Sequence, residues 1–305
     1  MLSEKEREPV SINFFKTNVA FHMKTVISLF VILFAINTVV HAQMERKRAD
    51  PDGPVEGTFW APNIVGMGTT EQLSANNMNV TIMHSFGIAT NQPVKNFFGM
   101  DIPPNVRLGL DYGITDSWSL GIGRTTFDKV VDIRTKLALL RQTKTSSVPV
   151  SLSMKADVGL TTQENGRPVG DDLNYFVSVI AARKFGNQLS VQAAPMYAHF
   201  TTALLPQGGV NNLFAIGLGA EYHLTDRYAV SAEYYPVIGE RNEGTNNAFA
   251  LALNIETGGH VFQLFLASAN WHTEQYILAR NNDEFWAGDF RFGFNVNRLF
   301  FLGRN

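Results

Sequence analysis

The sequence predicts an all-β protein, an antiparallel up-and-down transmembrane β-barrel of about twelve strands, and three observations lead there. From about residue 78, apolar and polar residues alternate with the period of two that separates the faces of a strand. Most runs are about ten to twelve residues long, enough for a tilted strand to cross a bilayer and about twice the usual strand of a soluble sandwich. Short turns alternate with longer polar connections, as they do between the two rims of a membrane barrel.

The strands are expected at 78–86, 105–114, 117–125, 129–140, 149–160, 173–184, 189–200, 211–224, 228–238, 247–256, 261–270 and 287–298. In 105–114, Val106, Leu108, Leu110, Tyr112 and Ile114 share one face, and Arg107 and Asp111 lie on the other with two glycines. A helix would scatter those charges around its whole circumference. In 149–160, Val150, Leu152, Met154, Ala156, Val158 and Leu160 oppose Ser151, Ser153, Lys155 and Asp157. In 211–224, Phe214, Ile216, Leu218, Ala220, Tyr222 and Leu224 oppose Glu221 and His223. The last run sets Phe290, Phe292, Phe294 and Val296 against Arg291, Asn295 and Asn297, and an aromatic outer face suits a lipid boundary.

Thr115-Asp116, Phe185-Gly186-Asn187, Thr225-Asp226 and Thr257-Gly258-Gly259 read as periplasmic turns. The longer stretches 87–104, 161–172, 201–210, 239–246 and 271–286 read as extracellular loops, which places both termini in the periplasm. Tyr112 and Trp118 flank one Thr-Asp turn, Tyr222 and Tyr228 another, as aromatics of an interfacial girdle would. Two connections break the rhythm: Thr126-Phe127-Asp128 is short where a loop is due, and 141–148 is long where a turn is due. Phe97-Phe98 and Glu284-Phe285-Trp286 fall in the expected outer loops.

Ahead of the strands, an apolar run of about fifteen residues between Lys24 and His41 is too short to span a bilayer and ends in a small-residue pattern at Ala42. Residues 23–42 are therefore expected to be a signal peptide, with 1–22 as an over-extended start. Residues 43–77 are expected to be a periplasmic N-terminal arm, flexible around Asp50-Pro51-Asp52-Gly53-Pro54, and 78–305 the outer-membrane barrel.

With 25 basic and 27 acidic residues, the chain has no net field to draw nucleic acid. It has no cysteine, which excludes disulfides, thiolate sites and a lipid-modified cysteine anchor. Its histidines lack metal-binding spacings, and no metal or other cofactor is expected. His84, His199, His223 and His260 are the histidines that a membrane-barrel hydrolase could use, but no nucleophile-elbow motif marks a serine and no catalysis is expected. The Gly-x-Gly pairs lie inside strands and read as architecture. The charged residues expected to face the lumen are Arg107, Asp111, Asp132, Arg134, Lys136, Lys155, Asp157, Glu221, Glu233 and Arg291. Their signs balance, which argues against strong ion selectivity and for pairing across a largely filled lumen.

The segment from Leu108 to Arg124, LGLDYGITDSWSLGIGR, preceded by Asn96-Phe97-Phe98-Gly99-Met100-Asp101, resembles a membrane-bound β-barrel family, a domain of unknown function found mainly in Bacteroidetes. Leu139-Leu140-Arg141-Gln142 and the run from Gly259 to Leu264 are similar to it too, and the likeness extends from about Thr58 to the C-terminus. The resemblance implies a fold and carries over no site residues.

These readings lead to an outer-membrane barrel acting as a passive channel for small polar solutes. The alternative is a non-conducting structural barrel or one that binds an envelope protein of unspecified identity, and a lipid-acting enzyme ranks third. Outer-membrane lipid is the expected surrounding, nucleic acid is not an expected partner, and the oligomeric state is left open.

Overall fold

The structure, a computed structural model, describes residues 52–204 and 209–302. The expected extension at 1–22, the expected signal peptide at 23–42 and the arm as far as residue 51 lie outside the described residues.

Among the described residues, thirteen strands form one antiparallel sheet. In chain order they are β1 (Asn77–Ile88), β2 (Asn105–Thr115), β3 (Trp118–Thr125), β4 (Val131–Leu140), β5 (Ser151–Leu160), β6 (Leu173–Phe185) and β7 (Leu189–Phe200). They continue as β8 (Asn212–His223), β9 (Tyr228–Tyr235), β10 (Val237–Ile238), β11 (Ala248–Glu256), β12 (His260–Ala267) and β13 (Arg291–Phe301). Successive strands pair as hairpins except at β10, which β11 bypasses to pair with β9, and β1 closes on β13 with Asn77 opposite Phe301 and Ile82 opposite Val296. The result is a closed barrel of twelve strands. Strand β10 prolongs β9 past Pro236 and pairs only with β8, because proline has no N–H to continue the ladder.

The expected strands appear close to their predicted places. The largest difference is β13, which begins at Arg291 rather than 287. Phe285, Trp286 and Ala287 instead form a 3-10 turn that ends at Gly288 in the left-handed region, so the aromatic run ahead of β13 does not extend it. Within 271–286, read as loop, Glu274–Arg280 forms helix α1.

The alternation separates two environments. Leu108, Ile133, Phe214 and Leu264 point outward and are 58%, 61%, 55% and 52% exposed, an apolar band of the kind a hydrocarbon surrounding covers. The inward face divides by strand. Strands β2 to β5 carry charges, whereas β7 to β12 carry small side chains, among them Ala194, Ala198, Ala215, Ala229, Ala250, Ala252 and Ala267, all buried. Small inward side chains leave a cavity, and two inserted segments fill it.

The first is the arm, and here the expectation of a periplasmic segment is corrected for its described part. Pro54 bridges to Thr143, and the Val55 amide donates to the Gln142 carbonyl at 2.7 Å, at the rim carrying the short turns. The chain then runs into the barrel and reverses. Asn63 pairs with Gly68, the Ile64 amide donates to the Met67 carbonyl at 2.8 Å, and the Thr69 amide to the Pro62 carbonyl at 2.8 Å. It returns to the same rim, where the Asn76 amide donates to the Gly113 carbonyl at 2.9 Å, and continues as β1. Phe59, Ala61, Ile64, Val65 and Met67 are all buried on this path, cover that an arm in water would not give them.

The long connection 141–150 thereby acquires a structural role. Besides the Gln142 and Thr143 contacts, its Lys144 amide donates to the Gly53 carbonyl at 3.1 Å and its Ser147 hydroxyl to the Asp52 carboxylate at 2.7 Å. It is the clasp through which the arm enters.

The second insertion is α1, which descends from the opposite, long-loop rim. Tyr276, Ile277, Leu278 and Ala279 pack in one cluster with Met67 of the arm and with Ile180, Met196, Phe200, Leu213 and Tyr235 of the wall.

Candidate functional site

The site is the barrel interior, where the arm hairpin and α1 meet the charged and amide-bearing wall. Its wall residues come from alternate positions of neighbouring strands, so each strand contributes one inward side chain every second residue.

The hairpin tip is held by Glu233 of β9. Its carboxylate accepts from the amides of Val65 at 2.9 Å, Gly66 at 3.0 and 3.1 Å, and Met67 at 2.9 Å. Three successive N–H groups converging on one carboxylate form an anion nest, here filled by an acid of the same chain. Around the tip, Asn295 donates to the Val65 carbonyl at 2.9 Å and Gln192 to the Gly68 carbonyl at 2.9 Å, while Gln263 donates to the carbonyls of Asn63 and Ile64. Lower down, Glu221 accepts from the Trp60 amide at 3.0 Å, Lys136 donates to the carbonyls of Thr69 and Glu71, and Lys184 to the Gly57 carbonyl at 2.6 Å. In these bonds the wall addresses the main chain of the hairpin, whose side chains contribute apolar packing.

Helix α1 is fixed at both ends. At its start, Glu274 accepts from Lys155 of β5 at 2.6 and 2.8 Å and from the Gly68 amide of the hairpin at 3.0 Å. Gln275 donates to Asn174 at 3.1 Å, Tyr276 hydrogen-bonds Thr161 at 2.8 Å, and Asn242 donates to the Ala279 carbonyl at 2.9 Å. At its end, Arg280 pairs with Asp128 at 2.6 Å. The short connection 126–128 thus serves the helix, because Asp128, with a φ of 51°, presents its carboxylate to Arg280. Just before α1, His272 donates from Nε2 to the Asn105 carbonyl at 3.0 Å, because a carbonyl can only accept. Burial, with Arg107 nearby, pulls the His272 imidazole down to about 4, so it is neutral at physiological pH.

The structure brings seven of the ten predicted charges together on β2 to β5. Arg134 forks onto Asp111 with two bonds of 2.7 Å and reaches Asp132 at 2.9 Å, and Arg107 also holds Asp132 at 2.5 Å. Lys155 lies 3.3 Å from Asp157 as well as against Glu274, and Lys136 turns to the hairpin carbonyls. Glu221 and Glu233 stand apart on β8 and β9, and Arg291 pairs with Asp283 of the loop before β13 at 2.5 Å. The pairs therefore run along β4 and β5, from β2 to β4 over the glycines of β3, and to the inserted segments rather than across the lumen. Where hairpin, helix and basic wall meet, a cavity of ≈ 40 Å³ remains, lined by Arg134, Lys136, Lys155, Asp157, His272 and Glu274 among others. That is space for a few waters.

Sequence reasoning misses Glu274, His272 and the hairpin. A signal is present: Glu221 and Glu233 face the lumen with no inward cation on their neighbouring strands, so donors have to come from elsewhere.

The four histidines considered for catalysis are dispersed. His84 stacks on Phe294 at 4.9 Å, His199 bonds Asn212 at 2.9 Å, His260 bonds Arg298 at 2.9 Å, and only His223 meets an acid, Glu221 at 2.8 Å. Among the described residues no serine hydroxyl hydrogen-bonds any of them.

A family model described as a membrane bound beta barrel domain (DUF5777) matches residues 59–300. The chain belongs to this family. The match begins within the inserted hairpin, so the domain includes that hairpin together with the wall that holds it. No curated protein matches the chain. Among solved structures it is similar to the NanC porin, with 10% identity and a TM-score of 0.48 over 73% of this chain and 98% of that one. It is also similar to the outer membrane protein Omp33 of Acinetobacter baumannii, with 9% identity and a TM-score of 0.41 over 74% and 98%. A third is the outer membrane phospholipase A of Escherichia coli, with 15% identity and a TM-score of 0.41 over 74% and 91%. Scores of this size transfer neither solute nor reaction to this membrane-bound barrel.

Proposed function

We propose that the protein is an outer-membrane β-barrel whose resting state is closed, a non-conducting barrel rather than a standing pore for small polar solutes. One observation carries the reading: the hairpin from one rim and α1 from the other meet inside the barrel, the Gly68 amide 3.0 Å from the Glu274 carboxylate. A diffusion path would need water along the whole axis. The buried cluster of Met67, Ile277, Leu278 and Tyr235, drawn from hairpin, helix and wall, fills the interior where the two insertions meet. The outward apolar band, the antiparallel closure and the leader-like segment at 23–42 support the outer membrane, with the short-turn rim and both termini in the periplasm.

The test is single-channel recording in a planar bilayer. The wild-type barrel is expected to stay silent, and Gly66→Val, which forces the hairpin tip off α1, to show openings. Steady conductance of the wild type at low voltage would overturn the reading.

A further inference from the structure

The two insertions enter from opposite rims, yet they touch at three points. The Gly68 amide bonds Glu274, the Ile277 side chain lies where a Cβ on Gly66 would come within 2.7 Å of its Cδ1, and Met67 shares a cluster with Ile277 and Leu278. Glu274 is the joint. It holds the hairpin amide, and its other contact is Lys155 of the wall, so a displacement of α1 removes a hydrogen bond from the tip and leaves a buried ammonium with Asp157 as its remaining acid partner.

We propose that hairpin and helix form one mechanically coupled closure that relays a change at the long-loop rim to the arm at the short-turn rim. The relay follows a chain of contacts: Asp128 and Arg280 at the outer end, Glu274 with Gly68 and Ile277 with Gly66 in the middle, and the clasp of Val55 with Gln142 at the other end. A ligand or force that lifts α1 would loosen the tip at Gly68 and Gly66, leaving Glu233, the wall side chains bonded to the hairpin main chain and the clasp to hold the arm. Thermodynamic linkage makes the effect reciprocal: loosening the tip must also loosen α1. Rigid interiors transmit such displacements in discrete steps because they are close-packed.

The inference rests on the reading of the interior as closed, and its test is chosen to separate the two. The chain has no cysteine, so a single introduced thiol reports one position. Ala61 of the hairpin and Ala279 of α1 are each 2% exposed. In the full-length protein in vesicles, labelling of Ala61→Cys and of Ala279→Cys by a water-soluble maleimide is expected to be slow. Adding Glu274→Gln or Ile277→Ala should speed labelling at residue 61 at least tenfold, and adding Glu233→Gln should speed labelling at residue 279 at least tenfold. Heat-modifiable gel mobility verifies that each variant retains the barrel, and the two α1 variants back each other should one fail to fold. Rapid labelling in the otherwise wild-type background defeats the closed reading itself. Slow labelling at both positions that none of these variants accelerates defeats the coupling alone.

Discussion

The Glu233 carboxylate grips the main chain at Gly66, with both of its oxygens within 3.1 Å of that amide nitrogen. Neighbouring amides at Val65 and Met67 complete the set, and the acid has no cation among its bonded partners. Hydrogen bonds to a charged acceptor contribute about 1.5–3 kcal/mol each at most, and they do not add independently here. Glu233→Gln keeps the shape but turns an NH₂ toward amide donors. It should cost about 2–3 kcal/mol, read as a lower urea midpoint with unchanged slope.

At Gly66 itself a Cβ would approach Ile277 Cδ1 to 2.7 Å. Gly66→Ala should therefore destabilise by about 1–3 kcal/mol through overpacking. Gly170→Ala, where a Cβ would meet nothing within 4 Å, should stay within about 0.5 kcal/mol of wild type. Equal effects in a denaturation series would remove the packing explanation.

Asp132 is shared by Arg107 and Arg134, and both it and Arg107 are buried. Asp132→Asn leaves a buried guanidinium without its acid and should cost about 3–5 kcal/mol. The double variant Arg107→Met with Asp132→Leu removes charge and partner together, and should recover much of that loss. A double variant less stable than Asp132→Asn would contradict this account.

His272 supplies a pH dependence of known sign. Its imidazole titrates near 6.5 in the unfolded chain and at about 4 when folded. Between these values the unfolded chain binds the extra proton, so stability falls as pH drops from about 6.5 to 4 and is fully present above 6.5. The depressed value corresponds to roughly 3 kcal/mol at full titration. Stability curves for wild type and His272→Gln should diverge across that window. Parallel curves would show that this histidine is not the acid-sensitive group.

Much of the barrel can be read from the sequence because a strand with lipid on one side and protein on the other must alternate. Arg107 between Val106 and Leu108 declares both faces at once. The hairpin cannot be read this way. Residues 60–70 pair mostly with wall side chains rather than with a neighbouring strand, so nothing imposes a period of two, and Ile64-Val65-Gly66-Met67-Gly68 looks like a short apolar interruption in an arm. Helix α1, with seven residues, is too short to show helical periodicity. The irregular connections at 126–128 and 141–148 are visible in the sequence, but their purpose lies in Arg280 and Val55, far away in the chain.

The pairing of β1 with β13 also constrains how the barrel can close. The ring cannot shut until the final strand has been made, and the segment it encloses is the one synthesised just ahead of the first. The hairpin leads directly into β1 and is bonded to Glu233 and Gln263 of the wall, so closing the ring and filling it involve the same stretch of chain. What closes is therefore a wrapped object rather than an empty cylinder.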